Sequence, residues 1–266
     1  MFPAALHLSD AQISALLSQY LWPLFRILGF FMAEPLFSSR SIPRRAKVIM
    51  GIMLTIMISP LLPPMPVIPV ISGAGLLVLM HQVLIGLAMG YVMRLMLTAV
   101  EMAGFFISSQ MGLGFAMFFD PQHSGQVPTI SRLMSLLVLL LLMAMNGHHL
   151  MLSTLIDSFK VFPITADGLP LVSYRMLAEW GGQVFSLGLL LSMPVMAALL
   201  IANVAMGIMT RAAPQFNVFS FGFPLTITIG FVVLYFMMPY FIAATLMLYQ
   251  HGTELVLTLI KAKAEP

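Results

Sequence analysis

Gly73 to Gln110 reads GAGLLVLMHQVLIGLAMGYVMRLMLTAVEMAGFFISSQ. The run is almost wholly apolar and carries His81, Arg94 and Glu101 in its interior. Its apolar residues are continuous rather than alternating, which argues helix and excludes a barrel strand. As one helix rising ~1.5 Å per residue, it far exceeds the ~30 Å of a bilayer's hydrocarbon. The sequence therefore predicts one of two outcomes. Either the segment breaks at Gly86, Gly90 or Gly104, or it projects out of the membrane.

The composition agrees with a helical membrane protein. Of 266 residues, 60% are hydrophobic and 8% are charged, against about 25% charged in soluble domains. There is no cysteine, which excludes disulfides and thiolate metal sites. His148 and His149 are adjacent and point to different helix faces, so the histidines give no ligand pattern. The net charge of +3 supplies no nucleic-acid patch. Residues 1–10 lack Lys and Arg, and the apolar run after them has no small-residue cleavage site. The N-terminus therefore does not read as a signal peptide.

Upstream of Gly73 lie two apolar segments. The first, Ile13 to Phe37, contains Pro23, Arg26 and Glu34; its charges are costly there unless paired or near an interface. Ser38 to Lys47, SSRSIPRRAK, is the densest basic cluster and marks the cytoplasmic side. The second segment, Val48 to Leu62, runs into Pro60, Pro63, Pro64, Pro66 and Pro69, which predict a stiff extended connection.

Downstream, Glu101 to Pro128 reads EMAGFFISSQMGLGFAMFFDPQHSGQVP. Ala103 to Phe119 is uncharged and rich in Gly, Met and Phe, and Asp120-Pro121 ends it. Loops between membrane helices are ordinarily polar; an apolar one needs something to bury it or a channel to fill. Ile130 to Met145 is then very apolar but short, and Asn146-Gly147-His148 signals a turn. Leu150 to Phe162 has a helical period that places Leu152, Leu155, Ile156, Phe159 and Phe162 on one face. Ser153, Thr154, Asp157 and Lys160 take the other. The two together predict a helical hairpin.

Met176 to Met209 is long and holds Pro194. Its small residues Ala197, Ala198, Ala202, Ala205 and Gly207 permit close helix contact, with Asn203 as interhelical glue. Arg211 to Pro224, RAAPQFNVFSFGFP, is a second aromatic loop, and Leu225 to Leu248 is the last long segment. Alternating sides from the basic cluster puts both loops on the cytoplasmic side.

Three blocks carry a family resemblance. They are Gln110-Met111-Gly112-Leu113 with Phe115-Ala116 and Asp120-Pro121; Asn146-Gly147-His148; and Pro214-Gln215-Phe216-Asn217-Val218-Phe219 running into Gly222-Phe223-Pro224. In this order the chain resembles, over essentially its whole length, the FliR/SctT family of type III export-gate proteins, and the flagellar branch more than the injectisome branch. The resemblance implies an all-α membrane protein of broken helices and helical hairpins within a helical pore complex. A single membrane domain, 1–266, would comprise a FliP-like part at about 1–175 and a FliQ-like helical hairpin at about 176–250. One copy would assemble with several FliP-like and FliQ-like subunits, beside FlhB-like and FlhA-like export components. The place would be the bacterial inner membrane at the flagellar basal body, and the substrates unfolded flagellar proteins. The resemblance implies no enzyme activity and no cofactor. Its helices need not all cross the bilayer, because such complexes are raised toward the periplasmic side.

The resemblance also implies that the central loop plugs the pore: Gln110, Met111, Gly112, Leu113, Gly114, Phe115, Ala116, Met117, Phe118 and Phe119. The chemistry suits that role, since Met and Gly form a compliant apolar seal that yields to varied side chains and holds back ions. Pro214, Gln215, Asn217, Phe219, Gly222 and Pro224 mark the second family loop. From the residues themselves, Glu101 and Arg132 flank the central loop and would pair if their helices are antiparallel; the competing reading has each snorkel separately. A different class, a secondary transporter of small solutes, is favoured by broken helices and by polar Arg94, Glu101 and Asn203.

Overall fold

The computed structural model describes residues 10–63, 66, 68–115, 128–165, 167–213 and 221–261. Among them there is no strand. The helices in chain order are α1 (Asp10–Ala33), α2 (Arg44–Ile58), α3 (Gly73–Gln110), α4 (Thr129–Ala144), α5 (Gly147–Val161), α6 (Leu171–Ala212) and α7 (Phe223–Lys261). Short 3-10 turns follow α2 at Ser59–Leu61 and α3 at Leu113–Phe115. Among the described residues four helices, α1, α3, α6 and α7, are long and apolar enough to cross a membrane, and α4 with α5 makes a fifth if the bent pair counts as one span.

The breaks do not fall where the glycines suggest. α3 runs uninterrupted for 38 residues. Gly86 and Gly90 are instead seats for α1, in a Gly-Leu-Ala-Met-Gly motif of the kind that lets helix backbones approach closely. A β-carbon at Gly90 would stand 2.7 Å from the Phe30 carbonyl oxygen and 2.8 Å from the Glu34 nitrogen. At Gly86 it would collide with the Arg26 carbonyl and the Phe30 nitrogen. Gly29 answers from α1, where a β-carbon would lie 2.6 Å from the Val83 carbonyl oxygen. Gly104 likewise faces backbone, with Ser131 Cα of α4 at 2.5 Å. Pro23, Pro194 and Pro239 all sit inside continuous helices. The break that does occur is at Met145–Asn146, between α4 and α5. Asn146 takes φ 58°, a left-handed conformation in which Asn is enriched, and Gly147 starts the next helix.

The chain forms two compact units that cut across chain order. One contains residues 1–94, 147–178 and 252–266; the other contains 95–146 and 179–251. α3, α6 and α7 each contribute to both.

In the first unit Trp22, Ile27, Phe30, Ile85, Leu155 and Phe159 form the buried core. The buried face of α5 differs from its apolar face in sequence. Thr154 and Ser158 are buried with Met151, Leu155 and Phe159, whereas the periodicity puts Thr154 on the polar side. Thr154 hides its hydroxyl on the Leu150 carbonyl at 2.8 Å. Glu34 is also buried, one residue past α1, with Oε2 accepting the Phe37 N–H at 2.8 Å. Burial pushes its carboxyl up from 4.5 to about 7, and the Phe37 and Leu36 backbone donors pull the other way. In the second unit Ile107, Met111, Ile130, Met134, Val138 and Val195 are buried.

Candidate functional site at the root of the apolar loop

The first unit holds a buried arginine. Arg26 Nε donates to Gln82 Oε1 of α3 at 2.8 Å. Its Nη1 donates to the Ser158 and Phe162 carbonyls, each at 3.1 Å, and Nη2 donates to the Phe162 carbonyl at 3.1 Å. The guanidinium carbon lies 4.3 Å from the Phe159 ring centroid. Among the described residues no carboxylate takes part. The counter-charge is the negative end of α5, whose last carbonyls face the guanidinium. The sequence shows that Arg26 and Glu34 need partners; the structure gives them separate ones.

The second unit holds the start of the uncharged loop. α3 ends at Gln110, and the Met111 N–H still donates to the Ile107 carbonyl at 2.9 Å. Gly112 then turns the chain with φ +81°, a value that favours glycine. Its N–H donates to the Ser109 carbonyl at 3.1 Å. The Met111 side chain is fully buried and lies directly on Gly230 of α7, with Cγ, Sδ and Cε at 2.7–2.8 Å from where a β-carbon would stand. Thr226 Oγ1 reaches the Met111 carbonyl at 3.2 Å. Asn203 Nδ2 of α6 donates to the Gln110 carbonyl at 3.4 Å. Asn203 therefore acts as the glue that its position suggests.

Of the expected plug residues, Gln110, Met111, Gly112, Leu113, Gly114 and Phe115 belong to the described chain, and Leu113–Phe115 forms the short 3-10 turn. Ala116, Met117, Phe118 and Phe119 lie outside the described residues. So do Pro214, Gln215, Asn217 and Phe219 of the second loop. Gly222 is buried, and Pro224 is exposed in the first turn of α7, where proline costs least.

Glu101 and Arg132 are not brought together. Glu101 Oε1 accepts from Ser135 Oγ at 3.1 Å, and its carbonyl accepts from Ser131 Oγ at 2.8 Å. Ser131 and Ser135 are one turn apart on the face of α4 toward Glu101. Arg132 is one residue on, about 100° around the helix, and is exposed. Sequence reasoning missed Thr226 and Gly230 as partners of Met111. Both lie in an ordinary-looking apolar segment, and no local signal marks them. No group of three or more His, Cys, Asp or Glu suited to a metal occurs among the described residues.

An all-helical membrane protein with an uncharged loop rooted between its helices is the class that these features define. The chain belongs to the bacterial export proteins, family 1, whose profile matches residues 17–252. It is 39% identical over 234 residues to flagellar biosynthetic protein FliR of Escherichia coli (strain K12), covering 88% of this chain and 89% of that one. Over 222 residues it is 39% identical to flagellar biosynthetic protein FliR of Pectobacterium carotovorum subsp. carotovorum, covering 84% and 85%. Its identity to the Bacillus subtilis (strain 168) protein of the same name is 32% over 221 residues, covering 81% and 84%. The FliR resemblance carried by the three sequence blocks is thereby shown.

Proposed function

We propose that this chain is a pore-forming subunit of the flagellar type III export gate. It passes unfolded flagellar subunits across the bacterial inner membrane and is not an enzyme. One copy assembles with FliP-like and FliQ-like subunits at the basal body, beside FlhB-like and FlhA-like components. Exposed apolar side chains on α6 (Leu200, Ile201, Val204) and α7 (Phe231, Tyr235, Phe236) support a chain covered by protein neighbours and lipid.

The observation that carries the reading is the uncharged segment Gln110–Phe119, which leaves α3 from a buried seat on α7. A pore for many substrates cannot use specific polar contacts. It needs apolar bulk that yields, and beyond the buried Met111 the residues Leu113, Phe115, Met117 and Phe118 supply it. An apolar constriction also holds back ions when the pore is idle.

Deleting Gly112–Phe118 tests this. From a plug, the deletion leaves the complex assembled but leaky to ions without substrate. From static core, it lowers the yield of complex and produces no leak. Conductance of the deleted complex, measured beside its yield on a native gel, separates the two. An assembled and tight deleted complex would sink the plug.

A further inference from the structure

Three successive features of the loop's start meet one stripe of α7. Gly112 lies against the Phe223 ring, 2.7 Å from a β-carbon placed on the glycine. The Met111 carbonyl faces Thr226 Oγ1 at 3.2 Å. The Met111 side chain fills the notch over Gly230. Residues 223, 226 and 230 share a helix face by their spacing. Chance burial of a loop end does not require a glycine under a long side chain, nor a hydroxyl under its carbonyl.

We propose that Met111 in the Gly230 notch is the contact that positions the apolar loop. α7 thereby fixes where the loop leaves α3. α7 lies in the segment read as a FliQ-like hairpin, and α3 in the FliP-like part. The seal is therefore set jointly by the two parts of this chain, and not by the loop's own residues alone. The inference rests on the export-pore reading above. Its physics is one of volume. A side chain at Gly230 evicts Met111, and Met111 yields because it is unbranched and flexible. The helix then survives while the loop's root shifts. Shortening Met111 makes room again.

The test uses the assembled export complex carrying Gly230→Val, Met111→Ala or both, beside the Gly112–Phe118 deletion. Idle conductance and native-gel yield are read for each. Each single variant is expected to assemble and leak, and the double variant to be tighter than either. That rescue is the signature of a direct contact, because independent defects add. Tight single variants beside a leaky deletion overturn this inference and leave the plug reading standing. A tight deletion overturns the plug reading itself, and the inference with it. If the double variant leaks as much as the sum of the singles, the contact does not position the loop. Should Gly230→Val not assemble, Met111→Ala, which only removes atoms, decides against the deletion. Assembled and leaky upholds the proposal; tight or unassembled overturns it.

Discussion

Arg26 in the first unit and Met111 in the second are both long side chains with no exposed surface, and opposite physics holds them. Arg26 is fixed by directional bonds to Gln82, Ser158 and Phe162. Met111 is fixed by shape, with one hydrogen bond at its carbonyl. The glycines beside them differ in the same way. Gly86 and Gly90 face backbone of α1, which cannot move without moving a helix. Gly230 faces the end of a flexible side chain. The first arrangement locks helices into one geometry. The second holds a segment in place while leaving it able to adjust. The pore subunit proposed above needs both, in different places.

The largest effect expected from breaking this contrast is at Gly86. Gly86→Val pushes a branched side chain into the backbone of α1 at Arg26 and Phe30. Overpacking of this kind costs about 1–3 kcal/mol and sometimes more, and here the neighbour is helix backbone that cannot swing aside. The protein should fail to accumulate in membranes, measured as steady-state level with its partners co-expressed. Normal accumulation would show that α1 and α3 do not pack as tightly as their glycines imply.

Next is Arg26→Met, which keeps length and removes every donor. Gln82 Oε1 and the Phe162 carbonyl lose their bonds from the guanidinium, and a buried acceptor such as Gln82 Oε1 costs about 1–3 kcal/mol when left unpaired. The unfolding midpoint of the detergent-solubilised complex should fall. Arg26→Lys should fall less, since it restores a donor without the fork. Equal stability of all three proteins would mean that the Arg26 hydrogen bonds do not hold α1 to α3 and α5.

The smallest effect expected is at Thr226. Its one proton is shared among the carbonyls of Met111, Gly222 and Phe223, at 3.1–3.3 Å. Thr226→Val should therefore cost less than about 1 kcal/mol, with no change in complex yield. A collapse in yield would mean that the loop's root is held by hydrogen bonding after all, and the contrast with Arg26 would disappear.

Much was legible in the sequence. Sparse charge and continuous apolar runs dictate membrane helices, because no other arrangement satisfies the backbone of such segments in lipid. Three short blocks carry the family. The Asn146-Gly147 turn follows from local chemistry, since Asn is among the few non-glycine residues enriched in a left-handed φ. The uncharged loop was visible as a run of residue types that water does not favour. Each of these is a property of neighbours along the chain.

What only the tertiary structure decided is which surfaces meet. A glycine within an apolar run reads equally as a weak point or as a place for another backbone, because its missing side chain allows both. Gly86, Gly90 and Gly104 became contacts once α1 and α4 lay against them. Glu101 chose Ser135 over Arg132 because the turn of α4 points Ser131 and Ser135 inward and Arg132 outward. Met111 found Gly230, more than a hundred residues away, because packing selects partners by shape and distance in space, and the order of residues along a chain records neither.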